Sequence, residues 1–139
     1  MNDLMARLTV IYHYAKDIHY TARGKEFYST HLLMDRVADG IQDFLDSINE
    51  VCFMGRGLDT PSAKEILTNA IKIYPELWTT MGCLEELGDF ITGTLENIYE
   101  MEQNNNGKYM NAEISLLDDI AKDLQLKAGL INQTVSGDR

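Results

Sequence analysis

Residues 19–54 read HYTARGKEFYSTHLLMDRVADGIQDFLDSINEVCFM. From Glu26 to Met54 the apolar side chains Phe27, Met34, Val37, Ile41, Phe44, Leu45, Ile48 and Val51 recur at threes and fours with no interior proline, the spacing of one amphipathic helix. Two polar pairs lie along it. His31 and Asp35 are four residues apart and so share a face, and Asp46 and Glu50 repeat the interval. His19 stands at the end of the preceding helical stretch, with eleven residues between it and His31.

Imidazole with carboxylate is a ligand set suited to iron or zinc. Asp46 follows Asp35 by eleven residues, about three turns, which keeps both pairs near one stripe. At about 1.5 Å rise per residue, the pairs sit roughly 22 Å apart along the axis, too far for a single ion to touch both. An antiparallel copy of the helix, placed by a two-fold axis, brings Asp46 and Glu50 of one chain opposite His31 and Asp35 of the other. His19 then completes each site. The spacing thus predicts two equivalent centres at a dimer seam and none within one chain. Solvated acidic faces also space carboxylates four apart, and single histidines on amphipathic helices are commonly packed. It is the five residues together that point to metal; His13 lies outside the set and has no assigned role.

Outward from this stretch the pattern stays helical. A first helix is expected from Asn2 or Asp3 to Tyr20, with Leu4, Leu8, Ile11, Ala15 and Ile18 buried, Asp3 as a start signal and Gly24 as the stop. The ligand-bearing helix ends near Gly55-Arg56-Gly57. Asp59-Thr60-Pro61-Ser62 reads as the cap and first turn of a short helix over Ala63–Ile73. Past Pro75, a third main helix runs from Leu77 to Gln103 with Leu84, Leu87, Ile91, Leu95 and Ile98 inward. Asn104-Asn105-Asn106-Gly107 is a turn. A fourth helix, Tyr109–Thr134, shows Ile114, Leu117, Ala121, Leu124 and Ala128 on one side. The expected fold is all-α: one domain over residues 1–139, a four-helix bundle whose long middle connection carries the short helix.

At these residues the chain resembles the Dps-type miniferritins, ferritin-like proteins of starved bacterial cells. The family's ferroxidase centre uses His, His, Asp, Asp and Glu at the separations of His19, His31, Asp35, Asp46 and Glu50. Gly24, Phe27 and His31 match the family's KGxxFxxxH-like turn and helix start. The resemblance runs the whole length in element order and is specific over residues 19–50. It implies a ferritin-like four-helix bundle, with the short extra helix between the second and third main helices packed at the two-fold interface. It also implies an inter-subunit di-iron site, with Asp46 and Glu50 from one subunit and His19, His31 and Asp35 from its mate. Larger ferritins use an intrachain set with Glu-x-x-His, a motif absent from this chain.

Activity, on this resemblance, is oxidation of paired Fe²⁺ by hydrogen peroxide and storage of Fe³⁺ mineral inside a hollow dodecamer of two-fold dimers, with zinc as a substitute ion. Carboxylate oxygens favour the ferric product and histidine helps bind ferrous substrate. Many relatives carry Trp directly after the first ligand histidine, where this chain has Tyr20; Trp78, the only tryptophan, is expected to pack. The alternative is a ferritin-like shell or helical interaction protein with a structural metal at the seam and little turnover.

Charge and composition bound the partners. The formal net charge is −10, and the 12 Lys and Arg are scattered, whereas phosphate binding needs clustered cations. The first helix starts near Met1, without the lysine-rich tail that many Dps relatives use on DNA, so DNA binding is expected to be weak or absent. Glu113, Asp118, Asp119 and Asp123 are candidates for an iron-gathering acidic lining; a solvated acidic face explains them equally well. No apolar run is long enough for a bilayer, and MNDLMARLTV is not a signal peptide. Cys52 and Cys83, without C-x-x-C spacing, are expected to be packed reduced thiols, which suits a cytoplasmic location.

Overall fold

Every apolar stripe read above becomes helix in the computed structural model, which describes residues 1–75 and 83–136. The elements are α1 (Asn2–Thr21), α2 (Phe27–Ala38), α3 (Ile41–Ile48), a π-helical turn (Asn49–Phe53), a 3-10 turn (Met54–Arg56), α4 (Ala63–Ile73), α5 (Cys83–Gln103) and α6 (Asn111–Ser136). Among the described residues there is no strand, and no helix is long and apolar enough to cross a membrane. The expected start of the third helix at Leu77, and the packing of Trp78, lie outside the described residues.

α1 is the element around which the others assemble: it packs against α2, α3, α4 and α5, while α5 packs along α6. Its expected stripe, Leu4, Leu8, Ile11, Ala15 and Ile18, is buried, and so is a second face formed by Ala6 and Val10. That second face exists because short α4 lays Ala70 on it, joined by Tyr74 and Phe90. Ser62 caps α4 by accepting a hydrogen bond from the Glu65 amide at 3.1 Å, as a serine before a helix should. At its far end, the Tyr74 hydroxyl donates to Asp17 Oδ2 on α1.

Polar contacts dock α1 onto α5. The Arg7 guanidinium lies 4.3 Å from the centre of the Phe90 ring. It donates to Thr94 Oγ1 at 2.8 Å and to the Phe90 carbonyl at 3.1 Å. Gly93 makes this approach possible, since a Cβ there would stand 2.8 Å from Arg7 Nη2. The α5–α6 connection turns where expected, with Asn106 and Gly107 at positive φ. α6 begins at Asn111 rather than Tyr109 because the Glu113 carboxylate accepts the Met110 amide at 2.8 Å, fixing the start one turn ahead of that side chain.

The main departure is in the stretch from Glu26 to Met54. The single helix expected from Glu26 to Met54 is two helices. α2 closes with the Asp39 amide on the Asp35 carbonyl, 3.1 Å, and Asp39 itself is extended at ψ 135°. Gly40 then takes φ 80°, and its carbonyl receives the Phe44 amide to start α3. A left-handed residue costs a side chain about 1–2 kcal/mol but glycine almost nothing, so Asp39-Gly40 is where the chain breaks. The break separates His31 and Asp35 from Asp46 and Glu50, so the 22 Å straight-axis spacing no longer applies.

A buried cation spans this break. Lys127 of α6, 2% exposed, donates to the Asp39 carbonyl and pairs with Asp123 Oδ2 at 2.7 Å. The carbonyls of a last helical turn have no intrahelical donors; here the ammonium serves one of them. Below α3 the helix widens into the π turn, with the Met54 amide shared by the Asn49 and Glu50 carbonyls. It ends at Gly57, φ 69°, within the region expected. Replacing Lys127 with Met should keep the volume but strand the Asp39 carbonyl, lowering unfolding free energy by about 1–3 kcal/mol in urea denaturation; an unchanged midpoint would show that the lysine does not hold the break.

Candidate metal centre

α1 and α2 run antiparallel, and their crossing is built on two rungs. In the upper rung the His19 and His31 rings stack with centroids 3.6 Å apart and planes 18° from parallel. Each ring also reaches the other residue's backbone: His19 Nδ1 lies 2.7 Å from the His31 carbonyl, and His31 Nδ1 lies 2.9 Å from the His19 carbonyl. A carbonyl can only accept, so both Nδ1 atoms carry the hydrogen. In the neutral form each ring would then keep its Nε2 lone pair available, the arrangement in which a backbone carbonyl orients a ligating histidine.

Phe27 extends the stack, its ring 5.2 Å from His31. Expected on the apolar stripe, Phe27 is instead 41% exposed; its work is to flank the imidazole rather than to fill the core. Gly24, at φ 84°, makes the turn and accepts the Phe27 amide at 3.1 Å. Tyr20 meets His19 edge-on at 5.2 Å and stands exposed. His13, outside the set, is exposed with its ring against Tyr12.

The lower rung pairs Lys16 with Asp35, Nζ to Oδ1 at 3.2 Å. Lys16 precedes His19 by three residues and Asp35 follows His31 by four, so each helix contributes one side chain to each rung. The hydrogen bond to Asp35 holds the Lys16 ammonium above its ordinary pKa. Beside this pair lies an open groove of about 630 Å³, lined by Tyr12, Lys16, Asp35, Arg36, Gly40 and Asp43 among others. Lys16 was not singled out in the sequence, although its place one turn before His19 was visible there.

Asp46 and Glu50 are exposed, on α3 and at the start of the π turn, and have no hydrogen bond or ion pair among the described residues. The structure therefore brings His19, His31 and Asp35 to one crossing and leaves Asp46 and Glu50 beyond the break. Among the described residues no three His, Cys, Asp or Glu side chains converge as a metal cage within the chain. A metal held by all five must draw on more than one copy.

Three of the acidic candidates have other work. Glu113 is 2% exposed, caps α6 and lies 3.6 Å from Arg56 Nη1, so it belongs neither to a lining nor to a solvated face. Asp123 is committed to Lys127. Asp118 shares a hydrogen bond with Glu102, whose carboxyl is pushed up to about 7, first by burial and then by that bond. Both cysteines are buried and neither forms a disulfide among the described residues, and burial, with Glu113 nearby, raises the Cys52 thiol to about 11.

Comparison with protein-family models and with curated proteins finds no match for this chain.

In ¹⁵N NMR, His19 and His31 in their neutral forms should both show Nδ1 protonated and Nε2 bare; the opposite tautomer in either ring would mean that the reciprocal bonds do not form in solution. Glu102 gives a pH signature. Its folded pKa lies above the ordinary 4.5, so the folded state holds the proton more tightly than the unfolded state does. The stability this contributes is full below about 4.5 and is lost as pH rises through about 7. Glu102→Gln should flatten that fall in a melting-temperature series from acid to neutral pH.

Proposed function

We propose that the chain is a ferroxidase and iron-storage protein of the Dps-like kind. The observation that carries this reading is the mutual lock of His19 and His31, which points two bare Nε2 donors away from the backbone they are tied to. Add Asp35 one turn along α2, with Asp46 and Glu50 exposed and unpaired among the described residues, and the donor set is the nitrogen-and-carboxylate mixture suited to ferrous substrate and ferric product.

Completion requires a second copy. Tyr20, Tyr28 and Leu32 are 71%, 68% and 48% exposed around the histidine rung, and clustered apolar exposure of this kind is what a protein interface covers. A two-fold axis would bring the partner's copy of the α3 acids to the α1–α2 crossing, giving two equivalent sites per dimer. In this reading α1, the α2–α3 pair, α5 and α6 are the four members of a ferritin-like bundle, α4 is the extra helix, and six such dimers form the shell. A cytoplasmic location belongs to the same reading. Duplex DNA is not part of it, because the net charge is −10 and the cations are scattered.

The chemistry balances with peroxide as oxidant. Two ferrous ions each lose one electron, peroxide accepts the pair, its O–O bond breaks, and with two protons both oxygens leave as water. Delivering the electrons as a pair avoids releasing hydroxyl radical. The chain's own contribution is to hold the ions side by side: imidazoles in fixed rotamers from one protomer, carboxylates from the other.

Anaerobic Fe²⁺ loading followed by peroxide tests this, with ferric absorbance and particle mass followed together. The expected result is rapid oxidation of about two irons per site in a particle of roughly twelve subunits. Asp46→Ala with Glu50→Ala should abolish oxidation and leave the particle intact. A monomer, or a particle that takes up no iron, overturns the proposal; loss of assembly in the double variant would instead indicate a structural metal at the seam.

A further inference from the structure

We propose that Lys16 is a resident competitor for Asp35, and that its ammonium sets how tightly the centre holds a divalent cation. This rests on the ferroxidase reading and names a positioning residue within it.

The geometry is direct. Lys16 Nζ sits 3.2 Å from Asp35 Oδ1, on the rung next to the stacked histidines. The side chains differ in enclosure: Lys16 is 24% exposed and Asp35 is 61% exposed. The ammonium is thus the more enclosed partner and the carboxylate the more open one. A cation arriving at the bare Nε2 atoms and Asp35 meets an oxygen already engaged by a positive charge. It must share that carboxylate or turn it away from the lysine, and in either case it binds a few ångströms from a like charge.

The two halves of the ligand set consequently differ in charge. His19, His31, Asp35 and Lys16 sum to zero when the imidazoles are neutral. Asp46 and Glu50 carry two negative charges, with no cation paired to them among the described residues. Cations are drawn first to the α3 acids of one protomer, and the histidine rung of the other closes on them against the resistance of Lys16. The consequence is a centre that grips a divalent ion moderately, as suits a site that must pass its cargo on.

The test is Co²⁺ titration of the full chain, followed by visible absorption and calorimetry beside particle mass, for wild type, Lys16→Met, Lys16→Gln and Lys16→Arg. Removing the charge should tighten Co²⁺ binding roughly threefold to tenfold. The gain should shrink between ~0.05 M and ~0.5 M salt as charges are screened. Arginine, which keeps the charge, should stay near wild type. Equal or weaker binding in both neutral variants overturns the inference, and so does a matching gain in the arginine variant, which would trace the effect to packing. Wild-type protein that binds no Co²⁺ overturns the ferroxidase reading and this inference with it; wild-type binding without a Lys16 effect overturns the inference alone.

Discussion

The ammonium of Lys127, closed inside the protein against the Asp39 carbonyl, holds the joint on which the candidate site turns. Asp39-Gly40 divides the stretch that carries the candidate residues into α2 and α3. The first half carries the histidine rung and the second carries the outlying acids. A break of this kind leaves backbone groups without partners, and a helix end without donors is free to fray. Lys127 arrives from α6, more than eighty residues later in the chain, with Asp123 balancing its charge. The relative setting of the histidine rung and the α3 acids therefore depends on a distant helix, and the α5–α6 hairpin has a part in the candidate site although it gives no side chain to it.

Much of the architecture was legible in local pattern. Ser62 caps where a serine before an apolar run should, Gly57 stops the helix, and the inward faces of α1, α5 and α6 follow their three-and-four spacing. The break at Gly40 was legible too, because Asp-Gly is a turn dipeptide. The apolar positions that continue through it, with no proline, mask that signal. Other features had no local signature. Glu113 reads as a surface acid until Arg56 and the Met110 amide are placed beside it. Lys127 reads as solvated until α2 ends in front of it. The second buried face of α1 needs α4 to lie across it.

For the site, spacing identified the residue types and their faces but not what fixes the rings. That information is in the reciprocal Nδ1-to-carbonyl bonds, which depend on α1 and α2 crossing at one height. The interval of eleven residues between His19 and His31 is the length of connection that allows this crossing, a turn at Gly24 included. The ion pair of Lys16 with Asp35 follows from the same crossing. It changes the charge of one half of the set without changing its ligand count, a distinction that a list of ligands cannot contain.

The stacked imidazoles also act as a ruler between two helices. Each ring is anchored to the backbone of the other helix, so sliding α1 by one residue, or rolling either helix, breaks both bonds together. Immobilising a side chain on binding costs about 1 kcal/mol, and here that ordering is already part of the fold. The fold by itself holds both ring nitrogens in one orientation, so whatever approaches the rung meets a shape instead of having to impose one.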